Sequence, residues 1–219
     1  MKIRHRGSIL FAMVLLAGVL GWQPSFAQTR GSRYFPETGH SVTADFLTAY
    51  ENATDPLLLY GYPITEAYQD QTTGLIIQYF QRARFELHPE AVSELRVQLT
   101  PLGRFQYTPG PVVPVPSNFP VCRLFQETGF QVCFAFLDFF NANGGVAQFG
   151  YPISNFESHD ERIVQYFQRA RFEWHPEYPS GQRVTLTDLG SRYFDVHGEN
   201  PARLLPIKDS NTLDSILSL

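Results

Sequence analysis

Past residue 27 the sequence has no long apolar run, no excess of basic charge and only two cysteines, Cys122 and Cys133. Without a later stretch of about 18 apolar residues there is no candidate membrane helix. The apolar run at 9–20 is too short for a span. It follows Lys2, Arg4 and Arg6 and leads to Ser25-Phe26-Ala27, small residues of the kind a signal peptidase reads. Residues 1–27 are therefore expected to be a secretory signal peptide, with the exported chain beginning at Gln28. That leader carries three of the 17 basic residues and none of the 21 acidic ones, leaving 14 basic against 21 acidic, a net of −7. An acidic balance argues against a nucleic-acid partner, whose affinity comes mainly from phosphate neutralisation. No G-x-S-x-G elbow occurs, and an even number of cysteines in an exported chain reads as a disulfide, so no nucleophile is in evidence. No catalytic residue, metal or cofactor is expected.

What the chain does contain is a repeated phrase. QYFQRARFELHPE at 78–90 returns as QYFQRARFEWHPE at 165–177, with Leu87 replaced by Trp174. The repeat divides the exported chain into module 1 (28–107) and module 2 (121–198), with a proline-rich linker (108–120) between them and a tail (199–219) behind. Aligning FPETGH (35–40) with FQETGF (125–130) sets Ser32 opposite Cys122 and Thr43 opposite Cys133. Module 1 lacks both cysteines and module 2 has both, which strengthens the disulfide reading.

Within each module the ETG turn is followed by a helical stripe, Phe46, Leu47 and Tyr50 in one copy and Phe136, Leu137 and Phe140 in the other. Thr43 is a suitable N-cap for the first, and Gly144-Gly145 a stop for the second. GYPIT or GYPIS then makes a turn. The repeated phrase reads as a β-hairpin, with a first strand near 76–80, a turn at 81–84 and a return strand at 85–88. A short strand follows at 97–99 or 184–186, and Thr100 or Thr187 is placed to cap a last helical turn. The fold class is α+β: two tandem small modules, each helix–turn–β-hairpin–strand, joined by a Pro-rich linker. As an extended spacer that linker would reach about 40 Å at ~3.1 Å per residue. The tail is expected to be loosely ordered, its final apolar residues being candidates to dock on module 2.

The run FLDFFNANGGVAQFGYPISN (136–155), with VQYFQRARFEWHP (164–176) and RVTLTDLG (183–190), resembles the LGFP repeat. Phe149-Gly150-Tyr151-Pro152 and Tyr60-Gly61-Tyr62-Pro63 fall on its signature. The likeness covers about fifty residues of each module. Arg82-Ala83 and Arg169-Ala170 depart from it where the family often has glycine. The resemblance implies a secreted bacterial protein, non-catalytic, that attaches to the cell wall or helps to maintain it.

Two readings of the phrase stay open. On a strand, Arg84, Glu86 and His88 share one face, as do Arg171, Glu173 and His175. They would be the polar contacts of a bound cell-wall or extracellular glycan, with Tyr79, Tyr166 and Trp174 as stacking platforms; an envelope protein is the alternative partner. A Glu-x-His pair from a single strand is only a partial metal site, and Pro89 breaks the register before Glu90. Alternatively the aromatics fill small cores and the Arg–Glu pairs brace the hairpin.

Overall fold

The computed structural model describes residues 31–115 and 120–207. The expected signal peptide, part of the linker and the end of the tail lie outside them. The described residues are α+β, with four small antiparallel sheets. None of their helices is long and apolar enough to cross a membrane.

Each repeat opens with a hairpin that the sequence reading took for a turn alone. In repeat 1, β1 (Ser32–Phe35) pairs with β2 (His40–Thr43), and Gly39 N–H closes the ETG turn on Phe35 O at 2.8 Å. Helix α1 (Ala44–Glu51) follows, burying Phe46, Leu47 and Tyr50 as the stripe requires. Next comes the short helix α2 (Pro56–Leu59), started by Pro56 and capped by the Asp55 side chain, which accepts from Leu58 N–H. A four-stranded sheet completes the repeat: β3 (Tyr68–Gln69), β4 (Ile76–Tyr79), β5 (Arg84–Leu87) and β6 (Val97–Leu99), in that spatial order. The closing helix is α3 (Leu102–Phe105). Repeat 2 has the same plan. Its elements are β7 (Cys122–Phe125), β8 (Phe130–Cys133), α4 (Phe134–Ala142), α5 (Gly145–Phe149), β9 (Glu157–His159), β10 (Arg162–Tyr166), β11 (Arg171–Trp174), β12 (Val184–Leu186) and α6 (Leu189–Val196). Cys122 and Cys133 face each other across β7 and β8 and are bridged, with Cα atoms 4.1 Å apart, as Ser32 faces Thr43 in repeat 1.

The β4–β5 and β10–β11 hairpins form as read, and their glycine-free turns are held from outside. In repeat 1, Gln81 N–H and Arg82 N–H donate to Tyr62 O and Tyr60 O. Gln168 and Arg169 do the same to Tyr151 O and Phe149 O. The YGYP and FGYP segments are thus the partners that make these turns possible. Thr100 and Thr187 do not cap the closing helices. Their hydroxyls donate to Glu86 and Glu173, and the capping positions are Pro101 and Asp188.

The closing helices are exchanged between repeats. α3 sits on the turn at 167–170 of repeat 2, where Arg104 N–H donates to Gln168 O at 3.0 Å. α6 sits on the turn at 80–83 of repeat 1, where Ser191 N–H donates to Gln81 O at 3.0 Å. Both approaches need glycine: a Cβ on Gly103 would stand 2.0 Å from Phe167 O, and one on Gly190 2.0 Å from Phe80 O. One apolar cluster accordingly runs through both repeats and includes Phe80, Phe85, Phe167 and Phe172.

The linker, expected as an extended spacer, lies along β9 over its described part. Val113 N–H donates to Phe156 O at 2.7 Å and Pro111 O accepts from Ser158 N–H at 2.8 Å. The described part of the tail is also placed, and on repeat 1. Glu199 accepts from Tyr79 Oη, Arg203 stacks over Tyr68 and Ile207 N–H donates to Gly39 O. The final apolar residues of the tail fall outside the described residues.

Candidate functional site

The predicted polar face exists, but Arg84, Arg171 and His175 on it are buried and Glu86, His88 and Glu173 are half-buried. Arg84, Glu86 and His88 lie on one side of β5, with Phe85 on the other, as strand alternation requires. Arg84 is 4% exposed. Its guanidinium ion-pairs with Asp70, donates to Glu86 Oε1 at 2.8 Å and to Thr100 Oγ1 at 3.2 Å, and lies over the Tyr79 ring. Glu86 contacts His88 Nε2 at 3.4 Å, and His88 Nδ1 lies 3.2 Å from Glu90. In repeat 2, Arg171, also 4% exposed, ion-pairs with Glu173 at 3.3 Å. Glu173 lies 3.5 Å from His175 Nε2. His175 Nδ1 meets Glu177 at 3.0 Å and Arg162 at 2.9 Å, and its ring stacks on Tyr178. A backbone hydrogen bond, then His175 and Arg162, hold the Glu177 carboxyl down at about 2. Asp70 is also held below the carboxylate range: burial raises it, but the N–H groups of Thr73 and Thr72 and the Arg84 charge outweigh that.

These contacts make the ladder a brace between strands rather than a set of ligands reaching into solvent. The two tyrosines are likewise corrected. Tyr79 is 0% and Tyr166 3% exposed, so neither presents a face for stacking. Tyr79 packs edge-on against Phe194 of α6, and Tyr166 edge-on against Tyr107. These are again reciprocal contacts with the segment arriving from the other repeat. Burial drives the Tyr79 hydroxyl far above its ordinary value. Among the described residues no three His, Cys, Asp or Glu side chains are grouped to hold a metal ion.

Almost every residue of the phrase has this kind of structural work in both copies. Gln78 Nε2 ties the sheet to Ser41 O and Thr65 O, and Gln165 ties it to Gln131 O and Ser154 O. Arg82 and Arg169 cap the carbonyl ends of α2 and α5. The backbones of Ala83 and Ala170 lie against Gly190 and Gly103 of the closing helices.

Trp174, the single substituted position, is different. It is half-buried against the core and stands between two open grooves. One, of about 460 Å³, is lined by Trp174, Phe139, Asp138, Asn143 and Arg183, and by Leu58 from repeat 1. The Arg183 guanidinium lies 5.8 Å from the Trp174 ring. The other, of about 340 Å³, has an apolar wall that includes Phe134, Ile163, Trp174 and the linker residues 113–115. Repeat 1 has a counterpart of the first groove, also about 460 Å³, but with Ala49 where Phe139 stands.

Phe134, Phe139, Asp138 and Arg183 were not picked out from the sequence. The signal for the aromatics was present in the repeat alignment, which sets Ala44, Ala49 and Leu87 against Phe134, Phe139 and Trp174. Three small or aliphatic positions become aromatic together, and the fold brings all three to the walls of these grooves. Compared with known proteins, the chain matches no family model and no curated protein.

Proposed function

We propose that this is an exported, non-catalytic binding protein of two tandem α+β units, attached to an extracellular or cell-wall glycan through repeat 2. The observation that carries the reading is Trp174 in the wall of an open groove with Asp138, Asn143 and Arg183 around it. A pyranose offers an apolar C–H face and a rim of hydroxyls. An indole suits the face, while carboxylate, amide and guanidinium groups suit the rim. The likeness to the LGFP repeat and the signal-like leader agree with attachment at a bacterial surface. The braced ladder, by contrast, serves the fold in both units.

The test is one substitution read in two ways. Trp174→Leu gives repeat 2 the residue that repeat 1 carries at the same strand position, so folding stability should fall by no more than about 1 kcal/mol. Binding to purified cell-wall polysaccharide or peptidoglycan should weaken roughly tenfold, about 1.4 kcal/mol. Polymer binding that is absent in the parent protein, or unchanged in the variant, would remove this reading.

A further inference from the structure

The two matching grooves, each of about 460 Å³, differ in how one arginine is used. The repeat alignment sets Arg96 against Arg183, the residues that lead into β6 and β12. In repeat 1, Arg96 Nη1 lies 3.8 Å from Asp45 Oδ2, an acid in the first turn of α1. The position matching Asp45 is Ala135, so α4 has no acid in its first turn. A second acid is lost from the same surroundings. Glu94, in the wall of the repeat 1 groove, is matched by Gly181 in the wall of the repeat 2 groove.

What Arg183 has instead is a neutral acceptor. Its Nε donates to Tyr178 O at 2.9 Å, and its guanidinium stands 5.8 Å from the Trp174 ring. Among the described residues no carboxylate pairs with it. The groove gains one acid, Asp138 in place of Thr48, but Asp138 is exposed and makes no ion pair with Arg183. A guanidinium is always charged and presents its donors as a planar fork that fits a carboxylate or a phosphate. The chain as a whole has a net charge of −4, so its overall field does not draw anions, and the attraction is local to this groove.

We propose that the sugar bound at Trp174 carries an anionic group, a carboxylate or a phosphate, and that Arg183 holds it. This rests on the glycan reading and names its substrate class as an acidic glycan. A neutral sugar gains nothing from the loss of both acids, whereas an anion does, because each of them would repel it. Asp138 and Asn143 are left to take hydroxyl groups. The repeat 1 groove has neither half of the arrangement, with Arg96 facing Asp45 and with Leu87 where Trp174 stands.

Matched methyl glycosides test this, with Trp174 fluorescence as the readout in the full chain carrying Trp22→Phe, which makes Trp174 its sole tryptophan. The pairs are methyl glucoside with methyl glucuronide and methyl galactoside with methyl galacturonide, together with the 6-phosphates of both neutral sugars. At least one acidic member should bind about tenfold more tightly than its neutral partner, as expected of hydrogen bonds to a charged group. Preference for a uronide identifies a carboxylate, and preference for a 6-phosphate identifies a phosphate. Arg183→Gln should bring the acidic-to-neutral affinity ratio close to one. Ala135→Asp should do the same with Arg183 in place, since it restores the acid that repeat 1 carries beside its arginine, and repeat 1 shows that the fold accepts the pair. Acidic sugars no tighter than neutral ones, or a ratio unaffected by both variants, would overturn the proposal. If wall polymer binding still weakens in Trp174→Leu in that event, the glycan reading stands and only the anionic group is lost. If propionate or inorganic phosphate binds as tightly as the acidic sugars, the sugar itself contributes nothing, and the glycan reading falls together with this one.

Discussion

His159 stands on β9 where Asp70 follows β3 in repeat 1, so two matching arginines meet different partners. Asp70, 5% exposed, reaches Arg84, whereas His159 turns to Glu157 at 3.0 Å. Glu157 in turn accepts from Tyr107 Oη and Gly110 N–H. The Asp70 contact has a pH consequence whose sign is fixed. Its folded-state pKa is depressed, so the stabilisation is full above the unfolded carboxylate value and is lost as pH falls through the folded one. Below about pH 4, the ordinary range for an aspartate, the parent protein should therefore lose this contribution progressively. Asp70→Asn should cost about 3 kcal/mol at neutral pH, because Arg84 stays buried with one partner fewer. The variant should also show a smaller further loss between pH 7 and pH 3. Denaturant titrations at both values check this. Equal acid losses in parent and variant would mean that Asp70 does not contribute.

The hairpins separate what local sequence can announce from what it cannot. β4 and β10 were legible because Ile76, Ile77 and Tyr79, or Ile163, Val164 and Tyr166, concentrate β-branched and aromatic residues in a short run. The opening hairpins were not, because four residues on each side of a turn leave too few positions for alternation to register. Helices α2 and α5, of four and five residues, fall below any helical period in the same way. Yet the Cys122–Cys133 pairing in the second opening hairpin was legible, since Ser32 and Thr43 exposed it as a coupled change. The bridge closes a sequence separation of 11 residues. Reduction should cost about 3 kcal/mol in the chain-entropy model. Because the apolar cluster joins both repeats, the loss should lower one cooperative transition of the entire chain. A reduced protein with two resolved unfolding steps, the first confined to repeat 2, would contradict that.

Of the candidate site, Trp174 was visible as the single exception in a repeated phrase, while its neighbours emerged only when the strands and α4 were brought together. The tyrosines misled for a related reason. Their burial involves residues distant in the sequence, Phe194 for Tyr79 and Tyr107 for Tyr166, and a strand pattern carries no sign of an arriving partner. The same long range hides the exchange of α3 and α6. Leu102-Gly103 and Leu189-Gly190 look like ordinary ends of their own repeats, yet each glycine fits against the other repeat's turn. This is also why the thirteen residues stayed nearly constant: each copy must both fold its own hairpin and receive a foreign helix.

The exchange makes a definite claim about the intact protein. A protease site introduced within residues 116–119 allows the folded chain to be cut between the repeats without touching either closing helix or the described linker residues. The fragments should stay together, since α3 remains on repeat 2, α6 remains on repeat 1, and the shared core is uncut. Nicked protein should elute as one species of undiminished size and unfold in one transition. Gly190→Ala supplies the internal control. The added methyl must displace the turn backbone, at about 1–3 kcal/mol for an overpacked contact, and should promote separation of the nicked halves before the intact chain loses its fold. Two folded half-sized species from the parent protein, released by the cut alone, would show instead that the repeats are independent units and that the exchanged contacts contribute little.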